Sequence, residues 1–214
     1  MPENKEISNA LLANSTGVLH LGAHIGQEAA EYSRTGHSVI WVEGDPRTFR
    51  KLRRNISKFP NQIAVKALLD ERERDVRFWR ANNSGASSSV FPLAQNHGYK
   101  SIGLAMVGSR KIRSARLDQL FSESQLSHFN HWVLDLQGSE LRALRGAGEL
   151  LSVASSLEVE ISREPQYDGG VLYPELRDFL MERGFREIWA EPYFHGIAFF
   201  ERRSGAQTQV VTNR

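Results

Sequence analysis

The sequence VLHLGAHIGQ, residues 18–27, joins a short apolar run to a turn that contains two glycines. The run at 18–21 has the length and composition of a buried β-strand. Gly22 and Gly26 allow a tight turn and a close approach of a ligand to the backbone, and a helix predicted from Gln27 directs unpaired N–H groups toward that turn. Taken alone, such a turn fits any α/β protein equally well.

Apolar runs rich in Val, Ile and aromatic residues alternate with segments of helical period along the rest of the chain. We predict strands at 18–21, 38–43, 63–68, 131–136, 156–161, 185–190 and 196–201. Helices are predicted at 27–33, 46–55, 139–151 and 174–183. This alternation is typical of βαβ units and of a mainly parallel sheet.

The chain is long enough for one domain with short additions at its ends. We predict an N-terminal extension at 1–16, a single domain at 17–203 and a disordered tail at 204–214. After an extra strand at 75–80, an insertion at about 81–110 begins as the polar loop ANNSGASSS and continues as an irregular stretch. A loop of this length within a domain is usually functional or mobile.

Composition restricts the class of protein. The 214 residues are 40% hydrophobic and contain no cysteine, so a full core is possible but a disulfide or thiolate metal site is not. The formal net charge is only +2, and the basic runs at 50–55 and 109–116 lack aromatic residues. We therefore expect no nucleic-acid partner, although these runs could contact an anionic substrate. No apolar stretch has the length of a signal peptide or membrane span, which predicts a cytoplasmic protein without a membrane partner.

A carboxylate follows the second predicted strand. Glu43 ends SVIWVE, about twenty residues beyond the glycine turn, where an acid can accept hydrogen bonds from both hydroxyls of a ribose. Turn and acid together predict an adenosine-containing ligand, a feature that nicotinamide enzymes share with methyltransferases. The turn has the pattern Gly-x-x-x-Gly and lacks the six-residue glycine fingerprint that binds a pyrophosphate, which favours a nucleoside without phosphates.

Three further acids are candidates for chemistry at the same edge of the sheet. Asp135 leaves the fourth strand and is the first candidate for a general base, with capping of the next helix as the alternative. Glu140 lies in the first turn of that helix, where an interaction with the helix dipole is the simpler interpretation. Glu160 lies near the end of the fifth strand and is the third candidate. Glu158 lies earlier in the same strand, and we expect it to form a salt bridge.

A metal site is not the preferred interpretation. His20 and His24 are four residues apart across a strand and a turn, where this spacing does not bring two side chains to one ion. The oxygen ligands of Asp135, Glu140 and Glu160 could hold Mg²⁺, but we expect no metal.

The sequence resembles the FkbM-type methyltransferases, which use S-adenosylmethionine, over about residues 17–203. The similarity is carried by LHLGAHIGQEAAEY, VIWVEGDPRTFRKLRRN, VKALLDE, GASSSVF, SARLDQL, VLDLQGSELRALRGAGELL and LEVEIS followed by LRDFLMERGFRE. It implies a single doubly wound, Rossmann-like domain with helices on both faces of a mostly parallel seven-stranded sheet, whose C-terminal strand is antiparallel. His20 departs from the family, which usually has an acidic residue there.

The resemblance also implies roles for individual residues around the cofactor. The positions that it assigns to the cofactor are His20, Gly22, Ala23, His24, Gly26, Glu43, Leu68, Asp70, Ser88, Ser89 and Asp135. Glu43 would bind the ribose, and Leu68 and Asp70 would border the adenine. Asp135, with Glu160 and Glu140 as further candidates, would serve catalysis.

The expected reaction is methylation of a hydroxyl on a sugar, a polyketide, a related secondary metabolite or a glycan, the acceptor class resting on the resemblance alone. The insertion and the segment at 163–173, which we expect to be a mobile lid with Tyr167 and Tyr173, would select the acceptor. One alternative is a binding module that retains the cofactor but not turnover. A less favoured one is an NAD-dependent oxidoreductase, for which the sequence lacks a Tyr-x-x-x-Lys pair.

Overall fold

The computed structural model describes residues 2–203, with side chains from Asn4 onward. The tail predicted at 204–214 lies outside the described residues. The strands are β1 (Gly17–Leu21), β2 (Ser38–Glu43), β3 (Gln62–Lys66), β4 (Leu68–Leu69), β5 (Asp75–Ala81), β6 (Met106–Ala115), β7 (His131–Leu134), β8 (Ser156–Ser162), β9 (Phe185–Ala190) and β10 (His195–Arg202). The helices are α1 (Pro2–Ala13), α2 (Ala29–Arg34), α3 (Pro46–Ile56), α4 (Leu117–Leu120), α5 (Glu123–Leu126), α6 (Glu140–Ala147) and α7 (Tyr173–Glu182). Short 3₁₀ turns cover Lys100–Ile102 and Gly148–Val153.

Seven strands form the main sheet in the order β3-β2-β1-β7-β8-β10-β9. The pairs from β3 to β8 are parallel, whereas β10 runs antiparallel to both β8 and β9. The strand order reverses direction between β1 and β7, which is the switch point where doubly wound sheets bind ligands. The predicted fold class is confirmed.

Two apolar layers cover the sheet. Side chains that alternate along β1 belong to different layers, since Leu19 and Leu21 join one core cluster and Val18 joins the other. The first layer includes Leu144 of α6 and Leu176 of α7, together with residues of α4 and α5. Buried residues of α1, α2 and α3 form the second. Because side chains alternate between the two faces of each strand and each helix has one apolar side, helices pack on both faces of the sheet.

The insertion is more regular than predicted. The prediction of an irregular stretch up to Arg110 is wrong for its last residues. They belong to the strand Met106–Ala115, which pairs antiparallel with Asp75–Ala81. Residues 107–111 are exposed, so the strand shows little apolar alternation and is held by backbone pairing to its partner. With β4 these strands form a second sheet in the order β4-β6-β5.

The N-terminal extension contains α1, which the sequence did not reveal. Its Ser8 hydroxyl donates to a Glu158 carboxylate oxygen at 2.8 Å. The salt bridge expected for Glu158 is not among the ion pairs of the described residues, and a hydroxyl partner takes its place. This hydrogen bond links α1 to β8 of the main sheet.

His20 is a core residue of β1. Its ring stacks on Trp41 at a centroid distance of 4.7 Å, and its Nδ1 lies 3.3 Å from the Tyr32 hydroxyl. The side chain is only 5% exposed. Burial, followed by the nearby His131, lowers the pKa of His20 to about 3.

We expect acid to destabilise the fold partly through His20. The unfolded chain binds a proton there below about pH 6.5, whereas the folded protein does so only near pH 3. Stability is therefore full above pH 6.5 and falls as the pH decreases, by roughly 2 kcal/mol at pH 5. In His20→Phe, the difference in unfolding free energy between pH 7.5 and pH 5, measured by urea denaturation, should shrink by that amount.

The exposed His128 provides the control, since His128→Gln should leave the difference unchanged. An unaltered pH dependence in His20→Phe would show that His20 is protonated in the folded protein.

Candidate active site

The carboxyl ends of β1, β2 and β7 meet at one edge of the main sheet. The connections that leave β1 and β7 run to opposite faces, so a crevice opens between their turns. The backbone N–H of Asp135, one residue past β7, donates to the Leu21 carbonyl at 2.9 Å. This hydrogen bond ties the two turns together at the base of the crevice.

Gly22 is the position where the two turns approach most closely. It adopts a φ of +87°, and a Cβ built on it would overlap the Asp135 carbonyl oxygen. Its N–H donates to the Val42 carbonyl of β2 at 3.0 Å. Both the conformation and the lack of space therefore require glycine.

Glu43 ends β2 inside the crevice. Its Oε2 accepts the N–H of His24 at 2.9 Å, and its Oε1 accepts the N–H of Asp45 at 2.6 Å. Burial raises the pKa of this carboxyl to about 7, although both N–H groups favour the ionised form. Glu43 thus fixes the turn after β1 and presents its carboxylate to the crevice.

His24 provides a polar atom without a partner. Its backbone has a φ of +45°, and its Nδ1 lies 3.2 Å from the Gln27 side-chain nitrogen. Among the described residues, its buried Nε2 has no hydrogen-bond partner. Since buried polar atoms are normally paired, this nitrogen indicates a place for a ligand atom.

These groups line a cleft with about 720 Å³ of empty space, part of it open solvent. The insertion covers one side, where Ser89 donates to the Gln137 carbonyl at 2.7 Å and Ser88 accepts the N–H of Ala81 at 3.1 Å. Leu68 and Phe78 form an apolar wall. Of the residues expected around a cofactor, the lining contains Gly22, His24, Glu43, Leu68, Ser88, Ser89 and Asp135.

Four other expected residues do not line the cleft. Ala23 and His20 are buried in the core, and Gly26 packs against Leu52 and Ile56 of α3. Asp70 is 1% exposed and accepts a bidentate pair from Arg74, Nε to Oδ2 at 3.0 Å and Nη2 to Oδ1 at 3.2 Å. These four residues are engaged in packing or with an internal partner, and their contact with the cofactor stays a prediction.

A second cavity, with about 890 Å³ of empty space that is partly open solvent, adjoins the cleft. Ala86, Asp135 and Gln137 line both spaces. The other lining residues of the second cavity are Asn82, Asn83, Ser87, Tyr99, Ile102, Gly103, Leu104, Glu160 and His195. A molecule in each space would therefore meet the other beside Asp135.

Gln137 connects the acids at this junction. Its Nε2 donates to Asp135 at 2.5 Å and to the two oxygens of Glu160 at 3.0 and 2.8 Å. Its Oε1 accepts the Tyr167 hydroxyl at 2.5 Å. Gln137 itself has a φ of +53°, an unfavourable conformation for a side chain of this kind. One amide thus fixes the separation of two carboxylates.

The electrostatic environment favours protonation of Asp135. Solvent reaches its side chain, but limited hydration, followed by repulsion from Glu160, raises its pKa well above the usual range. Because the two carboxylates share one amide donor, their titrations depend on each other.

Glu140, expected as a catalytic candidate, faces the backbone instead. It is 2% exposed, and its Oε1 accepts the N–H groups of Leu136 and Gly138 at 2.9 and 3.1 Å. Burial and the charge of Glu160 raise its pKa to about 7. Through these hydrogen bonds Glu140 stabilises the turn that carries Asp135 and Gln137, and its part in catalysis stays a prediction.

The sequence missed two side chains of the second cavity. His195 starts β10 opposite β8, and the ring of Tyr99 meets it edge-on at 5.5 Å. Only the position of His195 between an aromatic residue and a glycine hinted at it. In the segment at 163–173, where a mobile lid is expected, Tyr167 and Tyr173 are 6% and 4% exposed and hydrogen-bonded, and the mobility of the segment stays a prediction.

The described residues also bear on metal binding and on membrane insertion. Within residues 2–203, no group of three His, Cys, Asp or Glu side chains is arranged to hold a metal ion. In the same part of the chain, no helix has the length and apolar character to cross a membrane.

The model of the methyltransferase FkbM domain matches residues 20–187, most of the chain. The chain belongs to the FkbM methyltransferase family. No curated protein matches it.

Solved structures show the same fold at low sequence identity. The N-terminal domain of EvdMO1 with SAH bound has a TM-score of 0.54 and 11% identity, with 94% of this chain and 79% of that chain covered. Magnesium protoporphyrin IX methyltransferase from Synechocystis PCC 6803 with bound SAH has a TM-score of 0.51 and 10% identity, covering 94% and 79%. An rRNA methylase from Streptococcus thermophilus has a TM-score of 0.51 and 11% identity, covering 92% and 94%.

Two substitutions should distinguish a structural from a catalytic Glu140. Glu140→Ala leaves two buried N–H groups without a partner, which costs about 1–3 kcal/mol, whereas Glu140→Gln retains an acceptor oxygen. We expect thermal unfolding to show a clear loss of stability for the alanine variant and a small loss for the glutamine variant. A catalytic role would instead give two equally stable proteins.

Proposed function

We propose that this FkbM-family chain transfers the methyl group of S-adenosylmethionine to a hydroxyl oxygen of a sugar, a polyketide, a related secondary metabolite or a glycan. The observation that carries the proposal is the shared boundary at Asp135. The cleft on one side has the polar and apolar groups that a nucleoside needs, and the cavity on the other side is lined by polar and aromatic groups.

The residues of the cleft fit S-adenosylmethionine. The carboxylate of Glu43 suits the ribose hydroxyls, and Leu68 and Phe78 suit the adenine face. The unpartnered Nε2 of His24, which lines the same cleft as Gly22, suits the methionine end. When bound, the cofactor supplies an electrophilic methyl carbon on a sulfonium.

The protein then has to align an acceptor hydroxyl and remove its proton. Alignment of the reacting groups can contribute several kcal/mol. Asp135 is the acid that both spaces share, so it is the first candidate to accept the proton, a contribution of roughly 10² to 10⁴-fold. Gln137 orients Asp135 through its amide.

The two alternatives receive less support. A binding module without turnover was suggested by His20, but His20 packs in the core and does not line the cleft. An NAD-dependent oxidoreductase is disfavoured by the family and by the short glycine turn. A direct test is to incubate the protein with S-adenosylmethionine and a panel of hydroxylated acceptors and to measure S-adenosylhomocysteine. Its formation without a corresponding methyl ether would contradict O-methylation.

Glu43→Gln should weaken cofactor binding. Each hydrogen bond to a charged group contributes about 1.5–3 kcal/mol, so we expect calorimetry to show an affinity for S-adenosylhomocysteine at least about tenfold lower. NAD should not bind to either protein. Glu182→Gln removes the same charge from an exposed position on α7 and should bind normally. Unchanged affinity in Glu43→Gln would remove Glu43 from the site.

Asp135→Asn should affect catalysis more than binding. It retains the size of the side chain but removes the base, so we expect turnover to fall by at least about 10²-fold. The melting temperature and the affinity for S-adenosylhomocysteine should change little. Asp178→Asn, the same change at an exposed position on α7, should retain full turnover. Normal turnover in Asp135→Asn would assign proton removal to another group.

A further inference from the structure

The second cavity contains a histidine to which the proposed reaction gives no role so far. His195 Nε2 lies 3.0 Å from a Glu160 oxygen, and its Nδ1 lies 3.1 Å from the Ser162 hydroxyl. Glu160 and Ser162 are neighbours on one face of β8, and β10 pairs with β8 at this point. Both ring nitrogens are therefore held by groups of a single strand.

Glu160 lies between His195 and Asp135. Gln137 donates to both carboxylates, which places two acids within reach of one amide nitrogen. The only cation among these contacts would be a protonated His195. The imidazole of His195, the carboxylate of Glu160, the amide of Gln137 and the carboxylate of Asp135 thus form a chain of contacts. This chain leads from β10 to the boundary between the two spaces.

We propose that His195, as an imidazolium paired with Glu160, keeps Asp135 ionised so that Asp135 can accept the proton of the acceptor hydroxyl. His195 is then a positioning residue that acts through Glu160. The inference rests on the proposed function. In the step concerned, the hydroxyl oxygen forms the new O–C bond, the C–S bond breaks with its electron pair left on sulfur, and the hydroxyl proton passes to Asp135.

The physical reason is charge compensation between neighbouring ionisable groups. Two neighbouring carboxylates raise each other's pKa, and an adjacent cation opposes this effect. Burial disfavours the imidazolium, but the hydrogen bond and the charge of Glu160 prevail and raise the pKa of His195. A neutral residue at 195 would leave the charge of Glu160 uncompensated, and Asp135 would retain its proton to higher pH.

Other ionisable groups face the same site. The carboxylates of Glu140 and Glu191 favour the protonated form of His195. Tyr99 and Tyr167 border Glu160, and their pKa values are raised by burial and then by its charge, so both are neutral near pH 7. None of these groups supplies a second positive charge.

The test is the dependence of kcat on pH in three variants. His195→Gln retains a hydrogen-bond donor without the charge, and we expect the acidic limb of the profile to move up by about one pH unit. Glu160→Gln removes the repulsion, and the limb should move down. In the Glu160→Gln background, adding His195→Gln should move the limb much less than it does in the wild type, because the carboxylate that connects them is absent.

The control and the contradicting result use the same assay. His128→Gln, at an exposed position, should leave the profile unchanged. If His195→Gln lowers kcat equally at all pH values and leaves the limb in place, His195 does not act on the ionisation of Asp135 and the proposal is wrong.

A second measurement does not require turnover. In the complex with S-adenosylhomocysteine, NMR titration of the His195 ring should give a pKa that falls by about one unit in Glu160→Gln. An unchanged value would refute the pairing. If the ring titrates as expected while no acceptor is methylated, the pairing stands and it is the proposed function that fails.

Discussion

The hydrogen bond from the Asp135 N–H to the Leu21 carbonyl sets where the cleft and the second cavity meet. It holds the turns after β1 and β7 in contact, and this contact is possible only because Gly22 has no side chain. The two connections then leave toward opposite faces of the sheet. The cleft and the second cavity consequently open on either side of one residue, and a carboxylate at that residue reaches both.

Contacts from distant segments determine how the turn after β7 is shaped. Gln137 adopts a positive φ that few residues of its kind tolerate, and it is held by Ser89 from the insertion and by Tyr167 from the segment before α7. Strain of this kind persists only where surrounding structure determines it. The insertion and the segment at 163–173 therefore hold this turn in place from two sides.

The sequence predicted features that depend on local periodicity and on the ends of strands. Strands at 38–43 and 185–190 match their observed bounds, and Glu43 and Asp135 were found because a strand end delivers a side chain into the crevice. His195 was not assigned, since its place beside Glu160 depends on the antiparallel register of β8 and β10. Asp70 and Glu140 are acids near strand ends, as the sequence argument requires. In the structure, however, Arg74 binds Asp70 and two backbone N–H groups bind Glu140, and neither side chain lines the cleft.

The acids around the site differ in how many fixed hydrogen-bond donors they have, and this difference sets Asp135 and Glu160 apart. Glu43 and Glu140 accept backbone N–H groups, which suits an ionised carboxylate, and Glu158 accepts a hydroxyl. Asp135 and Glu160 share one amide, and Glu160 has in addition an imidazole whose charge depends on pH. Keeping two carboxylates together with so few fixed donors disfavours the folded state. The proposed reaction accounts for this arrangement, because it needs a carboxylate of adjustable basicity where the cofactor and the acceptor would meet.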